Sequence, residues 1–433
     1  MKNSFTVVVF VCTLISSRSL GTIVTISLDE DNGSLAGGAG ISLREAVKYS
    51  ASGAVITFAP ALSGQTIRLT GGHLLIQNTL TIDASSLPGG IILSGDKAGN
   101  GKSVDDTRIL SINGGNASFN SLTFAGGSDV EVAGGIYVLA GTATIDNCTF
   151  SGNSGRHGGA IWSYGSSVLT IRKTTFSGNS AQYDGGGICI SHGTADIQNC
   201  TFSGNTAATG GGIRNLGTLT LQNSIVAGNS ATIDLNISGS FTGSYNLTSG
   251  TPRLAPLGNY GGPTRTMPPV PGSPAIGAAN WPPAFTSDQR GFPIHNKPDI
   301  GAAEFQNSDD VRFWKLDFDG DGFPYGVEQA LGTDNFVPDP GNSRNLTAPT
   351  FDSSGHVTLR FGKTGSAAGT RWVLKRSPDL NSANFVEIYR YSLSSETMAP
   401  GISCERPGST FIITDANPPP GQAFYRFEAV LQP

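Results

Sequence analysis

The chain has 433 residues, more than one compact domain usually holds, so two or more units or one elongated unit are expected. Charged residues make up 14% against roughly 25% in an average soluble domain, hydrophobic residues make up 38%, and glycine is high at 59. That balance excludes a disordered chain and points to an ordered, turn-dense fold. The net charge of -5 is modest and no lysine or arginine cluster is present, which sets nucleic acid aside as a partner.

Residues 1–19 open on Lys2, run apolar from Phe5 to Ile15 and end in small polar residues (Ser16, Ser17, Ser19). This is the layout of a secretory signal and is too short for a membrane span. A buried strand is the alternative. No lipobox surrounds Cys12, and no second apolar segment is long enough to cross a membrane. After signal removal Cys148, Cys189, Cys200 and Cys404 remain, an even count that in an exported chain invites a disulfide reading.

Residues 20–53 read as an N-terminal cap. Ser42-Leu43-Arg44-Glu45 is a capping box that opens a short helix through Ala46 and Val47. A helix there would cover the first coil of a solenoid, whose exposed ends need such caps. "AVITFAP", "QTIRLTGGHLLIQNTLTIDAS" and "GGIILSGD" then read as irregular early coils.

From Phe124 the sequence repeats. Aligning on Phe124, Phe150, Phe176, Phe202 and Val226 gives steps of 26, 26, 26 and 24 residues, a period that marks a solenoid. Each copy reads as a strand around Ile145, a bend, a strand around Phe150, a turn at 151–153, and a third strand after paired glycines. Three short strands per turn describe one coil of a parallel β-helix, spanning residues 20–305. Coils about 4.8 Å apart place like on like. Phe150, Phe176 and Phe202 should stack inside, and Asn153, Asn179, Asn205 and Asn229 should form a ladder of side-chain amides. Gly158-Gly159, Gly186-Gly187 and Gly211-Gly212 mark bends closed to side chains. Cys148 and Cys200 share a column two coils apart, about 9 to 10 Å and beyond disulfide reach, so both read as buried free thiols.

"ISLREAV" (Ile41 to Val47) resembles the CSLREA element that precedes many exported β-helices, with Ile41 in place of its cysteine. The "FSGN…GGAI" copies resemble the repeats of polymorphic outer membrane proteins and the wider pectate-lyase-like superfamily, whose fold is a right-handed parallel β-helix. Residues 250–305 resemble the choice-of-anchor Q region of secreted bacterial β-helix proteins, most specifically at Asp288-Gln289-Arg290-Gly291 and Asp299-Ile300-Gly301. Gly277 departs from that family's usual aspartate. These resemblances imply a bacterial protein that is secreted or held at the cell surface, and they speak to fold more than activity.

The span 306–345 carries the clearest metal-binding pattern, "DFDGDGFPYGVE" at 317–328. Asp317, Asp319 and Asp321 occupy loop positions 1, 3 and 5, Gly322 permits the sharp turn, Phe323 offers its backbone carbonyl, Tyr325 would act through water, and Glu328 closes with two oxygens. The expected ion is Ca²⁺ in a structural role; a solvated acidic linker is the plain alternative. The loop resembles thrombospondin type 3 and dockerin-like segments. Residues 346–433 alternate apolar and polar in short runs between Pro/Gly turns, which predicts a small C-terminal β-sandwich.

For function, the repeats spend their fixed letters on packing. A secreted or surface β-helix protein with a structural, adhesive or glycan-binding role is the leading expectation, its partner an extracellular polysaccharide or protein. The rival is a polysaccharide lyase or glycoside hydrolase acting on an acidic polysaccharide. Its best candidates are Arg156 and His157 on one coil and Tyr183 and Asp184 on the next, in the bend before the glycines. Asp146, Arg172, Gln198 and Gln222 share an outer column and read as cross-strand contacts. Lys173, in a column otherwise held by asparagine, is expected to be exposed. His192 and Asp196 are expected at the surface.

Overall fold

The computed structural model describes residues 21–306, apart from 37, 102–104, 281–284 and 296, and from 346 to 431 the strands with some of the turns between them. The predicted export signal and the predicted calcium loop lie outside the described residues. The described residues fall into two compact units. One takes those up to Pro252 with Leu257–Met267 and Pro274–Glu304; the other takes Arg253–Pro256, Pro268–Ser273 and those from Phe305 onward.

The first unit is a parallel β-helix built from three parallel sheets. The expected columns form. Phe124, Phe150, Phe176, Phe202 and Val226 pair in register, and their rings stack at 4.6, 4.8 and 4.3 Å between centroids with planes within 8° of parallel. Flat stacking follows from identical side chains on identical backbone one coil apart. The asparagine ladder is equally regular. Nδ2 of Asn153, Asn179 and Asn205 each donates at 2.9 Å to Oδ1 of the next asparagine, and each also donates to the carbonyl of the phenylalanine one coil back. These amides satisfy backbone groups that the bend withdraws from the strand ladder.

Each coil carries one strand more than the sequence pattern suggests. Ser154–His157, Ser180–Asp184, Thr206–Thr209 and Ser230–Ile233 form a separate four-stranded parallel sheet between the asparagine turn and the glycines. The residues expected in a bend, Arg156, His157, Tyr183 and Asp184, therefore lie on strands. No sequence pattern marks this strand, because "SGRH", "SAQYD" and "TAAT" lack apolar alternation: its inward positions are small, and its outward ones vary. The glycines follow at a close approach. A side chain on Gly159 would meet the Gly186 carbonyl oxygen at 2.3 Å, so only glycine fits.

The helix Leu43–Tyr49 forms as its capping box requires. Ser42 Oγ accepts from Glu45 N, and Glu45 Oε2 accepts from Ser42 N at 2.9 Å. Leu43, Ala46 and Val47 join the core, which closes the first coil.

Residues 258–267 and 274–304 run over the outer face of the phenylalanine strands. The threonines that precede each phenylalanine point outward yet are buried, because this segment covers them. Thr175 Oγ1 donates to Gln289 Oε1 at 2.6 Å, Gln289 Nε2 donates to the Cys148 carbonyl at 3.0 Å, and Ala302 N donates to Thr201 Oγ1 at 3.0 Å. Arg290 Nε in turn bonds Asp288 Oδ2 at 2.8 Å, both side chains being buried. This covering also corrects the expectation for Lys173. That residue is 9% exposed, with φ of 43°; its Nζ lies 3.3 Å from Asp146 and 5.2 Å from the centroid of the Phe285 ring. The lysine fills a covered gap with its stem and pairs its charge.

In the second unit, two four-stranded antiparallel sheets share one core of Val357, Leu374, Ile388, Tyr389 and Ile413, the sandwich expected from the alternation. All four cysteines of the described residues are free. Burial pushes the Cys148 thiol up to about 12, so it behaves as an inert core group, as the column spacing predicts.

Candidate functional site

Two sheets meet at the corner after the glycines. One is the short sheet of Ser154–His157 and Ser180–Asp184; the other begins with Ile161–Ser163, Ile188–Ile190 and Ile213–Asn215. On the latter strands the flanking residues point inward and the middle one is free to point out. Register stacks the middle residues as Tyr137, Trp162, Cys189, Arg214 and Ser238.

The short sheet contains a bulge at this corner. Gly155 pairs with Ala181, but His157 pairs with Asp184, so Gln182 and Tyr183 together oppose Arg156. A bulge inserts a residue and re-aims its neighbours, here presenting Tyr183 at 42% exposure. The four sequence candidates do come together. Arg156, His157, Tyr183 and Asp184 line one open hollow of about 360 Å³, completed by Ala208 and Thr209.

Asp184 is the centre of this hollow. Its Oδ2 lies 2.9 Å from His157 Nδ1, and its Oδ1 lies 3.6 Å from Arg214 Nε. Arg214 is steadied from the far side, where Nη1 donates to Ser238 Oγ at 2.6 Å. The His157 ring is held between Tyr183 at 5.5 Å and Trp162 at 5.1 Å. Trp162 stacks on Tyr137 at 5.1 Å and donates its indole N–H to Ser191 Oγ at 2.6 Å. The Arg156 guanidinium sits 5.5 Å from the centroid of the Tyr183 ring. A strip of rings beside a charged trio can both stack on a sugar and hydrogen-bond its hydroxyls. With Nδ1 committed to Asp184, the other imidazole nitrogen of His157 is the one available to a ligand.

Cys189 lies in this column but is buried, and burial pushes its thiol up to about 12. Thiolate chemistry is therefore no part of the site. Among the described residues no group of three or more His, Cys, Asp or Glu is gathered to hold a metal ion. Trp162, Tyr137 and Arg214 join the site without a sequence signal, for a geometric reason. The bulge makes their steps 25, 27 and 25 residues, against 26 for the phenylalanines, so an alignment on phenylalanine sets them out of line. His192 is exposed and packs edge-on to Tyr164, while Asp196 accepts from Gln198.

A family model described as right handed beta helix region matches residues 134–251, which contain the whole of this corner. No curated protein and no solved structure matches the chain. No helix among the described residues is long and apolar enough to cross a membrane.

Proposed function

We propose that this chain is a secreted or cell-surface right-handed β-helix protein that binds glycan at the corner built by Tyr137, Trp162, His157, Tyr183, Asp184 and Arg214. The observation that carries the reading is Asp184, held between His157 and Arg214 beside a strip of aromatic rings. Elsewhere the repeated letters pack the coils, whereas here they vary and a bulge turns side chains outward. Fold likeness alone would not support a binding role. In the same reading residues 317–328 hold a structural Ca²⁺ through Asp317, Asp319, Asp321, the Phe323 carbonyl and Glu328. The test is affinity electrophoresis of the mature protein in gels containing soluble polysaccharides. Retardation that Trp162→Ala abolishes supports the reading; free migration in every gel overturns it.

The paired His157 and Asp184 favour one second reading, a lyase. The free imidazole nitrogen would take the proton from the carbon beside a uronate carboxylate. The C–O bond at the neighbouring carbon breaks, a C=C bond forms, and the departing oxygen takes the Tyr183 hydroxyl proton. Asp184 is the single carboxylate among the described residues of the hollow, whereas glycoside hydrolysis generally needs two flanking carboxyls, so elimination fits better than hydrolysis. Incubation with acidic polysaccharides should then yield unsaturated ends, lost in His157→Ala.

A further inference from the structure

The column that carries Trp162 continues toward the N-terminus. Leu75 pairs with Ser111, Ser111 with Tyr137, and Tyr137 with Trp162. Leu75 is 46% exposed, whereas Ser111 is small and 7% exposed, so the surface dips between Leu75 and the rings. Leu75 also lines a hollow of about 410 Å³ beside the capping helix, with His73, Gln77, Asn78 and Lys48 around it. Three coil steps separate Leu75 from Trp162, about 14 Å at the usual spacing of sheet strands. Neither hollow alone would enclose a chain of several sugars; the column runs along the helix axis from the Leu75 hollow to Trp162, whose ring packs on His157 of the other hollow.

Most of the charges on this line are paired within the chain. Arg44 bonds Asp29 at 2.7 Å, Lys48 bonds Asp31 at 2.6 Å, and Arg108 lies 3.2 Å from Asp129. At the far end Asp184 takes both His157 and Arg214, and Arg156 rests on a ring. A polyanion with a carboxylate on each sugar needs a row of cations free to meet it; of these cations only Arg156 has no aspartate beside it among the described residues, and at the others the polyanion would have to displace one. A chain bearing only hydroxyl groups has no such requirement. It can donate to the carboxylates, accept from the cations and lay its apolar faces on Leu75 and the rings.

We infer that the two hollows are the ends of one elongated site for an uncharged oligosaccharide lying parallel to the helix axis. This rests on reading the corner as glycan-binding. It adds the chemical class of the ligand, its direction and a second set of contacts at Leu75 and Gln77.

The experiment is calorimetric titration of the mature protein with cello-, xylo- and manno-oligosaccharides of increasing length, and with oligogalacturonate and oligoalginate, at low and high salt. One neutral series should bind more tightly as it lengthens, with little change on adding salt. Gln77→Ala and Leu75→Ala, both at exposed positions, should weaken the long ligands about tenfold and leave the short ones unchanged, whereas Trp162→Ala should weaken both. Salt-sensitive preference for the acidic series would overturn the inference while keeping the glycan reading. Neutral binding indifferent to Gln77 and Leu75 would overturn the elongated site. Binding of no sugar at all would remove the glycan reading itself.

Discussion

Asn179 shows how much one repeated letter carries. Its amide donates to the Phe150 carbonyl and to Asn205, while its oxygen accepts from both the backbone and the side chain of Asn153. All of this happens at 1% exposure. Asn179→Ala strands the buried Asn153 N–H without water, at about 1–3 kcal/mol, and takes the side-chain donor from the Phe150 carbonyl as well. The variant should unfold at distinctly lower urea than the parent, with an effect of at least ~2 kcal/mol; a loss near zero would mean the ladder is decorative. Asn179→Asp should be no better, since it keeps the acceptor, loses both donors and buries a charge. This residue was legible in the sequence because stacking demands identity at every coil. Lys173 was not. Its column is defined by positive φ, shared with Asn147, Asn199 and Asn223. What decides its burial is a segment more than ninety residues later in the chain, and no local pattern reports that.

At the scale of elements, the segment over the threonine face is held by buried polar groups, and one of them is poised to titrate. Glu304 is 3% exposed, and its carboxyl is raised to about 7, first by burial and then by the neighbouring Asp299, with Asp288 adding to it. Backbone N–H groups of Asp299 and His295 favour its charged form, and His295 Nδ1 lies 3.5 Å away. The native state thus holds a proton on Glu304 that the unfolded chain, near the ordinary value of 4.5, has already released. Stability from this group is full below about pH 4.5 and falls as pH rises toward about 7, then levels off. After allowance for screening the loss is on the order of 2 kcal/mol. Glu304→Gln should be less sensitive than the parent between pH 5 and 8 when urea midpoints are compared. Equal slopes for the two would refute the buried proton. Gln289 belongs to the same element. The variant Gln289→Ala removes one hydrogen bond from Thr175 Oγ1, which keeps Thr266, and one from the Cys148 carbonyl, which keeps Thr175 N, and should speed amide exchange over 286–304 before the phenylalanine strands respond. The capping helix was legible from four letters, Ser42 to Glu45, because its hydrogen bonds are local. The strand Ser154–His157 and the bulge beside it were not, since a bulge is a register relation between coils and leaves no period within one.

The molecule as a whole joins a solenoid, whose stability propagates from coil to coil, to a sandwich with its own core. Between their sequences lies the stretch 317–328, the proposed Ca²⁺ loop, with aspartates at alternate positions. An ion that binds the folded chain and not the unfolded one stabilises it by RT ln(1 + [Ca²⁺]/Kd), about 2.7 kcal/mol at a hundredfold excess over Kd. The thermal midpoint of the C-terminal half should therefore climb with the logarithm of calcium concentration and drop on chelation. Asp319→Ala removes the third-position ligand and should flatten that response, while the melting of the β-helix coils, followed by hydrogen exchange over 134–251, stays put. A midpoint indifferent to chelation would leave the acidic run as a solvated linker. A response shared equally by the coils would show instead that the ion is felt throughout the chain, and that the two cores unfold as one cooperative unit.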